Sequence, residues 1–313
     1  MATKYVDSSA GSNSNNGNSK ATAYLTYDYA LQQLSANDTL IFINSGVDYT
    51  WTTRAIPAGV TFEGEVKPDI SKGIYIRMNG GGGVVQSQLN GSFTCRNIWW
   101  YNSVGSTGTS QLYPYRNASN TAARVLLFED CLFSDHTSTM STGSRGGFIG
   151  GGSAVSGESV ASYTATFRRC VIWNMESLSS GLGGAFFKSS STNATVLFEN
   201  CTYYSTTPTL YALTALSASG GLVSGNTPTV YRNCIIDNNS GTNLALNAYI
   251  SGSGSQPTSN NVATVENTVY RNITTTGLTL TDCVNDDPDF LDPANNDFRL
   301  KWDSPAINLG QIV

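Results

Sequence analysis

Short apolar runs recur along this chain, and stretches rich in Gly, Ser, Thr and Asn separate them. Runs such as YTATF, ATVLF and TPTVY combine β-branched and aromatic residues, which is typical of strands. Related clauses accompany such runs: RNIWWYN, EDCLFSD, RRCVIWN, ENCTYYS, RNCIIDN and ENTVYRN. Most of them place a charged residue and a polar turn residue before apolar residues. The pattern therefore predicts a strand, a tight turn and a second strand in every unit.

The residue after the turn position sets the period of the repeat. These residues are Ile98, Cys131, Cys170, Cys201, Cys234 and Thr268. Their numbers differ successively by 33, 39, 31, 33 and 34. One such unit cannot bury its own apolar face, so neighbouring units must stack. We interpret each unit as one coil of a parallel β-helix, with equivalent residues about 4.8 Å apart.

The turn positions favour residues that tolerate a left-handed backbone. The series is Asn97, Asp130, Asn200, Asn233 and Asn267. Asn and Asp adopt this conformation at low cost and can hydrogen-bond an equivalent residue in the next coil. Arg169 interrupts the series, so we expect an altered turn there. The residue that follows each turn should point inward, and we expect the four cysteines among them, Cys131, Cys170, Cys201 and Cys234, to be reduced.

The residue before each turn alternates in charge. The series is Arg96, Glu129, Arg168, Glu199, Arg232 and Glu266. Stacked in register, each interior member would lie between residues of the opposite charge. Each exposed pair would then contribute roughly 0.2–1 kcal/mol. The alternation predicts a charge ladder along one face of the β-helix.

A third series should point outward, yet it is mostly apolar. Its apolar members are Trp99, Leu132, Val171, Ile235 and Val269, while Thr202 occupies the remaining position. An aligned apolar strip of this kind needs a cover. We predict that it forms the subunit interface of a homotrimer, because closed cyclic symmetry leaves no free end. Loops of the same chain that fold over the strip are the alternative.

The two ends of the chain carry further signals. Near the start, AYLTYDYALQQL reads as a short amphipathic helix after a Gly/Asn-rich loop, and DPDFLDPANNDFRLKWDSPAINLG lies near the end. With the repeats, these segments resemble the right-handed parallel β-helix superfamily, the pectate-lyase-like proteins. The resemblance implies an all-β, single-stranded β-helix of roughly eight coils with a short N-terminal capping helix. Its parts would be 1–38 (loop and capping helix), 39–284 (coils) and 285–313 (closing coil), all in one domain.

Composition and charge limit the partners. A formal net charge of −5 and an isoelectric point near 4.9 argue against a nucleic-acid groove. No apolar run approaches the length of about 20 residues that a membrane span needs, so we expect no membrane insertion. The first residues, MATKYVDSSAGSNSNNGNS, lack the basic and apolar regions of a signal peptide. Either the chain is not exported by that route or such a signal has been removed, and we expect the former.

Candidate catalytic residues are few. The single histidine, His136, follows Asp135 in SDHTS and could form a general acid/base pair with it. An exposed turn histidine is the more common arrangement in such a context. Asp135, Glu176 and Asp237 fall near equivalent positions, which we expect to lie on loops, and are the other acid/base candidates. The glutamates of the charge ladder would be poor acids because arginines flank them.

Metal and sugar sites have candidates as well. Asp286, Asp287 and Asp289 offer oxygen ligands for calcium, although Asp before Pro is also common in turns. No other cofactor is indicated. Tyr113, Tyr115 and Tyr204 could stack on sugars, or could pack loops against the coils instead.

The β-helix superfamily includes polysaccharide lyases, polygalacturonases, phage tailspikes and adhesins, so the fold alone leaves the function open. A polar β-helix without an export signal favours a phage virion structural protein: a tailspike, fibre or capsid decoration. Its partners would be other virion proteins and host-surface polysaccharide. A secreted, extracellular polysaccharide lyase or glycoside hydrolase is the alternative, and a non-catalytic bacterial surface adhesin is the third possibility.

Overall fold

Three parallel sheets build the molecule, which is described here by a computed structural model. The structure describes residues 1–83, 85, 87–102, 104–105, 112–113, 123–138, 148–150, 163–177, 185–189, 194–206, 212–218, 229–240, 243–251, 263–307 and 309. Within these residues, every pairing between strands of the three sheets is parallel.

We call the sheets A, B and C. Sheet A stacks Thr3–Val6, Thr39–Phe42, Thr61–Gly64, Phe93–Arg96, Arg124–Glu129, Tyr163–Arg168, Ala194–Glu199, Thr229–Arg232, Thr264–Glu266 and Thr279–Thr281. Sheet B stacks Tyr49–Thr50, Arg77–Asn79, Trp99–Tyr101, Leu132–Ser138, Val171–Ser177, Thr202–Ser205, Ile235–Asn238, Val269–Arg271 and Val284–Asn285, and Val104–Gly105 pairs beside it. Sheet C stacks Ala55–Ile56, Ser87–Leu89, Leu112–Tyr113, Ile149–Gly150, Ala185–Ser189, Ala212–Ala218 and Ala245–Ser251. The predicted all-β parallel β-helix is therefore confirmed.

The turn from sheet A to sheet B repeats in successive coils. One residue with positive φ forms it, between 48° and 59° in Asn97, Asp130, Arg169, Asn200, Asn233, Asn267 and Asp282. The expectation of an altered turn at Arg169 is wrong, because its φ of 52° matches the others. The guanidinium of Arg169 instead forms hydrogen bonds of 2.9 and 2.8 Å to the carboxylate of Asp130 in the preceding coil. At this turn, the side chain of Arg169 and its ion pair occur where the other turns have an Asn or Asp side chain.

A second bend follows within sheet B. Asn102, Asp135, Asn174 and Asn272 also have positive φ, between 48° and 57°. Each lies five positions after a residue of the first turn series, and the clauses quoted above end on this position. The residue after the bend at Asp135 is His136, and its side chain is buried. The sequence thus carries a second periodic turn position, which the predicted turns do not include.

The interior contains stacked aromatic rings and a column of thiols. Ring centroids lie 5.2 Å apart for Phe128 and Phe167, 4.7 Å for Phe167 and Phe198, and 4.9 Å for Phe198 and Tyr231, with nearly parallel planes. Beside this stack lie Cys131, Cys170, Cys201 and Cys234, all buried and unbridged. Each thiol donates to a sheet A carbonyl of the preceding coil at 3.3–3.5 Å. Burial raises the pKa of the Cys131 thiol.

The N-terminal segment is more than a loop and a helix. Thr3–Val6 is a strand of sheet A and pairs with Thr39–Phe42, so the predicted boundary at residue 38 separates two paired strands. A 3-10 helix, Lys20–Thr22, and the helix Tyr27–Gln32 follow. The hydroxyl of Thr26 accepts a hydrogen bond from the backbone N–H of Tyr29, which caps that helix. The helix buries Tyr27, Ala30 and Leu31 in the main core.

In the C-terminal segment, for which we predicted a closing coil over 285–313, the described residues include an antiparallel pair of strands. Phe290–Asp292 and Asp297–Leu300 pair antiparallel, and the 3-10 helix Pro293–Asn295 connects them. We call this unit the C-terminal hairpin. It packs on the outer face of sheet B, as does Ile70 of the 3-10 helix Ile70–Lys72. Among the described residues, no helix is both long enough and apolar enough to cross a membrane.

Candidate functional site

The outer face of sheet B carries a second hydrophobic cluster. Its buried members are Trp99, Leu132, Trp173, Tyr204 and Phe290, and Ile70, Tyr75, Tyr101, Val171, Ile235, Phe298 and Leu300 pack against them. The predicted apolar strip is thus largely covered by the chain itself. Trp99, Leu132 and Val269 are only 6%, 7% and 1% exposed. Val171 and Ile235 are only partly buried, and the trimer with its interface along this strip stays a prediction.

Aromatic contacts hold the C-terminal hairpin on this face. The ring centroid of Phe298 lies 5.6 Å from that of Trp173 and 5.3 Å from that of Tyr204. Tyr204 also contacts Phe290, at 5.9 Å. Tyr204 is therefore a packing residue and is not free to stack on a sugar. Tyr113 ends a strand of sheet C with its side chain outside the described part of the structure, and Tyr115 lies outside it altogether.

A groove remains open beside this cluster, with a volume of about 570 Å³. Outward side chains of sheet B, the segment 67–72 and the end of the hairpin line it. The lining residues are Lys67, Pro68, Asp69, Ile70, Ser71, Lys72, Leu132, Val171, Thr202, Asn296, Asp297, Phe298 and Arg299. The sheet residues Leu132, Val171 and Thr202 give the groove a largely apolar floor. Its volume lies within the range of about 300–1,000 Å³ that ligand sites commonly have.

Ion pairs line the rim of the groove. Lys72 lies 2.7 Å from a carboxylate oxygen of Asp69. On the hairpin, the guanidinium of Arg299 donates two hydrogen bonds to the carboxylate of Asp297, at 2.8 and 2.6 Å. Both pairs are largely exposed, so they contribute little to stability. They do place charged donors and acceptors beside the apolar floor.

The two carboxylates of the rim are poor proton donors. Hydrogen bonds from Lys72 and Ser71 lower the pKa of Asp69 to about 2. The hydrogen bond from Arg299 lowers the pKa of Asp297. A general acid needs a pKa near the working pH. Neither carboxylate is therefore suited to donate a proton in glycoside hydrolysis. The groove is suited to binding.

The charge ladder lies on the outer face of sheet A. Strand register places Glu129 beside Arg96 and Arg168, and Glu199 beside Arg168 and Arg232. Side-chain N–O distances along the column are 2.9, 3.2, 2.8, 3.9 and 2.8 Å from Arg96 to Glu266. The hydrogen bonds from Arg96 and Arg168 lower the pKa of Glu129. The column thus has a structural role, as its alternating charges predict.

The proposed acid/base pair of Asp135 and His136 does not form a surface site. His136 lies in strand Leu132–Ser138, is 3% exposed, and its Nε2 is 3.1 Å from the carbonyl oxygen of Trp100. The interpretation of this histidine as an exposed turn residue is wrong, and its burial gives no support to the catalytic interpretation. Asp135 forms the second bend, where Asn174 donates to it at 3.4 Å. Glu176 lies in strand Val171–Ser177, with its side chain outside the described part.

Asp237 belongs to a strand of sheet B rather than to a loop. It is 1% exposed, and Arg271 donates two hydrogen bonds of 2.7 Å to its carboxylate. Burial raises the pKa of Asp237, although Arg271 opposes this effect. Arg271 also pairs with Asp287 in the segment that leads to the hairpin. The arrangement ties that segment to sheet B and leaves Asp237 without access to a substrate.

The candidate calcium ligands do not converge. Asp286 accepts the backbone N–H of Asp287 at 2.8 Å, and Asp289 pairs with Lys301 at 3.3 Å. Asp287 is engaged by Arg271, as described above. Across the described ranges, no group of three His, Cys, Asp or Glu side chains is placed to hold a metal ion. Calcium binding by these residues therefore has no support from their placement.

The groove was not predicted from the sequence. Its walls come from 67–72 and 296–299, which are far apart in the chain and lie outside the repeat. The available signal was the break in periodicity: KPDISKGIY and NNDFRLK interrupt the Gly/Ser/Thr-rich background with charged and aromatic residues. Their meeting over sheet B depends on tertiary packing, which periodicity does not encode.

Comparison with known proteins adds little to this description. No protein-family model and no curated protein matches the chain. Among solved structures, pectin methylesterase from Aspergillus niger aligns at 14% identity and a TM-score of 0.44, covering 91% of this chain and 85% of the other. Pectin methylesterase PemA from Erwinia chrysanthemi aligns at 13% and 0.42, covering 90% and 81%. A rhamnogalacturonan lyase aligns at 12% and 0.40, covering 93% and 91%. The assignment of the fold rests on the strand pairing and not on these similarities.

Proposed function

We propose that this protein binds a polysaccharide in the groove on the outer face of sheet B and acts outside the cell. The observation that carries this proposal is the groove itself, with its apolar floor and its rim of ion pairs. Val171 and the ring of Phe298 offer partly exposed apolar surface, and the charged rim offers hydrogen-bond donors and acceptors. Such a combination suits a ligand with apolar faces and many hydroxyl groups. A sugar chain has this chemistry.

Binding without catalysis fits the described residues better than hydrolysis does. The pKa values of Asp69 and Asp297 are lowered, and His136 is enclosed in the core. The alternative of a polysaccharide lyase or glycoside hydrolase would therefore depend on other residues of the chain. The virion role predicted from the sequence gains no support from the fold or from the groove, and it stays a prediction.

The proposal can be tested with a substitution that places a large side chain on the floor of the groove. Thr202 lies in a strand of sheet B and lines the groove, so Thr202→Trp should fill part of it. Thr166 is the matched control, because it is a partly exposed threonine of a central strand in sheet A. Wild-type protein and both variants are run in native gels containing neutral or acidic polysaccharides. The mobility of each protein then reports its affinity.

We expect at least one polysaccharide to retard the wild type and the Thr166→Trp variant. The Thr202→Trp variant should be retarded at least tenfold less, because its indole occupies the space of a sugar ring. Circular dichroism should show the same β-rich spectrum for all three proteins. Retardation that is equal in both variants, or absent throughout the panel, would reject the groove as a polysaccharide site.

A further inference from the structure

The charges around the groove specify more than a general affinity for sugars. Three cations line it: Lys67, Lys72 and Arg299. Among the described lining residues, each of these cations already has a carboxylate of the same chain within 3 Å. What these pairs imply for the ligand concerns the same groove and rests on the proposed function.

Each pairing is close, and two of the three join residues of the same short segment. Lys67 reaches Asp130 at 2.6 Å, and Asp130 belongs to the turn between sheets A and B. Lys72 pairs with Asp69, three residues earlier in the same segment, at 2.7 Å. Arg299 pairs with Asp297, two residues earlier, through two parallel hydrogen bonds. A parallel pair of this kind satisfies both the charge and the geometry of a guanidinium.

We infer that the groove selects neutral polysaccharides and discriminates against polyuronates. A uronate that approached Arg299 would also approach the carboxylate of Asp297, so attraction and repulsion would largely cancel. The same applies at Lys72, where Asp69 is the resident anion. The whole chain, with a net charge of −5, adds no long-range attraction for a polyanion.

A neutral sugar meets no such opposition. Its hydroxyl groups can donate to Asp69 and Asp297 and accept from Lys72 and Arg299 without breaking either ion pair. Its apolar C–H face can lie on the floor of the groove. At Lys72 and Arg299 the ion pairs therefore act as a selectivity element, because they supply hydrogen bonds while the resident carboxylates offset the positive charge.

The first experiment uses a matched pair of ligands. The neutral polysaccharide that binds the wild type best is oxidised at C6, which converts hydroxymethyl groups to carboxylates on the same backbone. Titration calorimetry then compares the two forms at low and at moderate salt. We expect oxidation to weaken binding at least tenfold, and we expect binding of the neutral form to change less than twofold with salt.

The second experiment removes one resident anion. Asp297→Asn keeps the size of the side chain but removes the carboxylate to which Arg299 donates its two hydrogen bonds. This variant should bind the oxidised polysaccharide about five- to tenfold more tightly than the wild type does, and added salt should weaken that gain. Leu291→Ala, on the same hairpin but 47% exposed, is the control and should leave both affinities unchanged.

The outcomes distinguish failure of the selectivity for neutral chains from failure of the proposed function. Tighter binding of the oxidised form by the wild type, or no gain in Asp297→Asn, would overturn the selectivity for neutral chains while the groove remained a polysaccharide site. If Thr202→Trp weakened the binding of none of the polysaccharides, the proposed function itself would be overturned. Discrimination against the oxidised form, together with the gain in Asp297→Asn, supports the inference.

Discussion

His136 shows what burial does to a single ionisable group in this fold. Its ring lies 4.2 Å from that of Phe148, and its Nε2 is 3.1 Å from the carbonyl oxygen of Trp100. Burial lowers its pKa from 6.5 to about 3. As the pH falls below 6.5, the unfolded chain therefore takes up a proton that the folded chain does not. Stability that is present above pH 6.5 is lost progressively toward pH 3.

We predict that His136→Gln makes the protein less sensitive to acid. The glutamine amide can still donate to the carbonyl of Trp100 but does not titrate. Between pH 7.5 and 5.0, the free energy of unfolding of the wild type should fall by about 2 kcal/mol more than that of the variant. Urea denaturation at the two pH values measures this difference. Equal losses in both proteins would mean that His136 is accessible to protons in the folded state.

The sequence around His136 explains why its burial was not predicted. SDHTS is polar throughout and resembles a surface turn. The left-handed bend at Asp135 breaks the simple alternation of inward and outward residues, so counting along the strand fails there. A histidine in the core is tolerated because the carbonyl of Trp100 satisfies one ring nitrogen. That contact joins residues of adjacent coils and has no local signature.

At the level of elements, the charge ladder offers the sharpest test of stacking. Glu199→Arg would place three like charges in a column, from Arg168 to Arg232. We expect a loss of roughly 1–2 kcal/mol in the free energy of unfolding at low salt, from lost pairs and new repulsion. Salt should reduce the loss, because these side chains are partly exposed. Melting curves at two salt concentrations measure it.

Glu199→Gln is the matched control, since it removes the charge without reversing it. Its loss should be the smaller of the two and should also shrink with salt. A melting temperature of Glu199→Arg that equals the wild-type value at low salt would contradict the stacked column.

Repeating elements could be predicted from the sequence, and non-repeating ones could not. The same clause recurs along the chain, so one interpretation of its turn and strands is tested several times within a single sequence. The C-terminal hairpin occurs once. Its apolar residues Phe290 and Phe298 are separated by turn residues, and nothing local indicates that they pack on Trp173 and Tyr204. The groove depends on that packing, so it was missed together with the hairpin.

For the whole molecule, the hairpin determines how well the outer face of sheet B is closed. We predict that Phe298→Ala loosens it, because the ring contacts Trp173, Tyr204 and Phe290. If the free energy that holds the hairpin on sheet B falls by about 1–2 kcal/mol, the population with an open hairpin becomes roughly 5–30-fold larger. Limited proteolysis read by mass spectrometry should show cleavage within 285–301 accelerating by a similar factor.

The control for this prediction is Leu291→Ala. Leu291 lies in the same hairpin but is 47% exposed, so its truncation should leave the cleavage rate close to that of the wild type. Equal acceleration in both variants would indicate general fraying of the hairpin and not the loss of a specific contact. No acceleration in Phe298→Ala would mean that the ring does not hold the hairpin in place.

The position of the hairpin has a consequence for biosynthesis. Coils of the β-helix contact only their neighbours, so each can form soon after its residues leave the ribosome. Much of the cover of sheet B comes from residues 290–300, which are synthesised after Trp99, Leu132 and Ile235. The growing chain therefore exposes an apolar strip that lengthens with each new coil until the hairpin emerges. We therefore expect the nascent protein to be most prone to aggregation before residues 290–300 have left the ribosome.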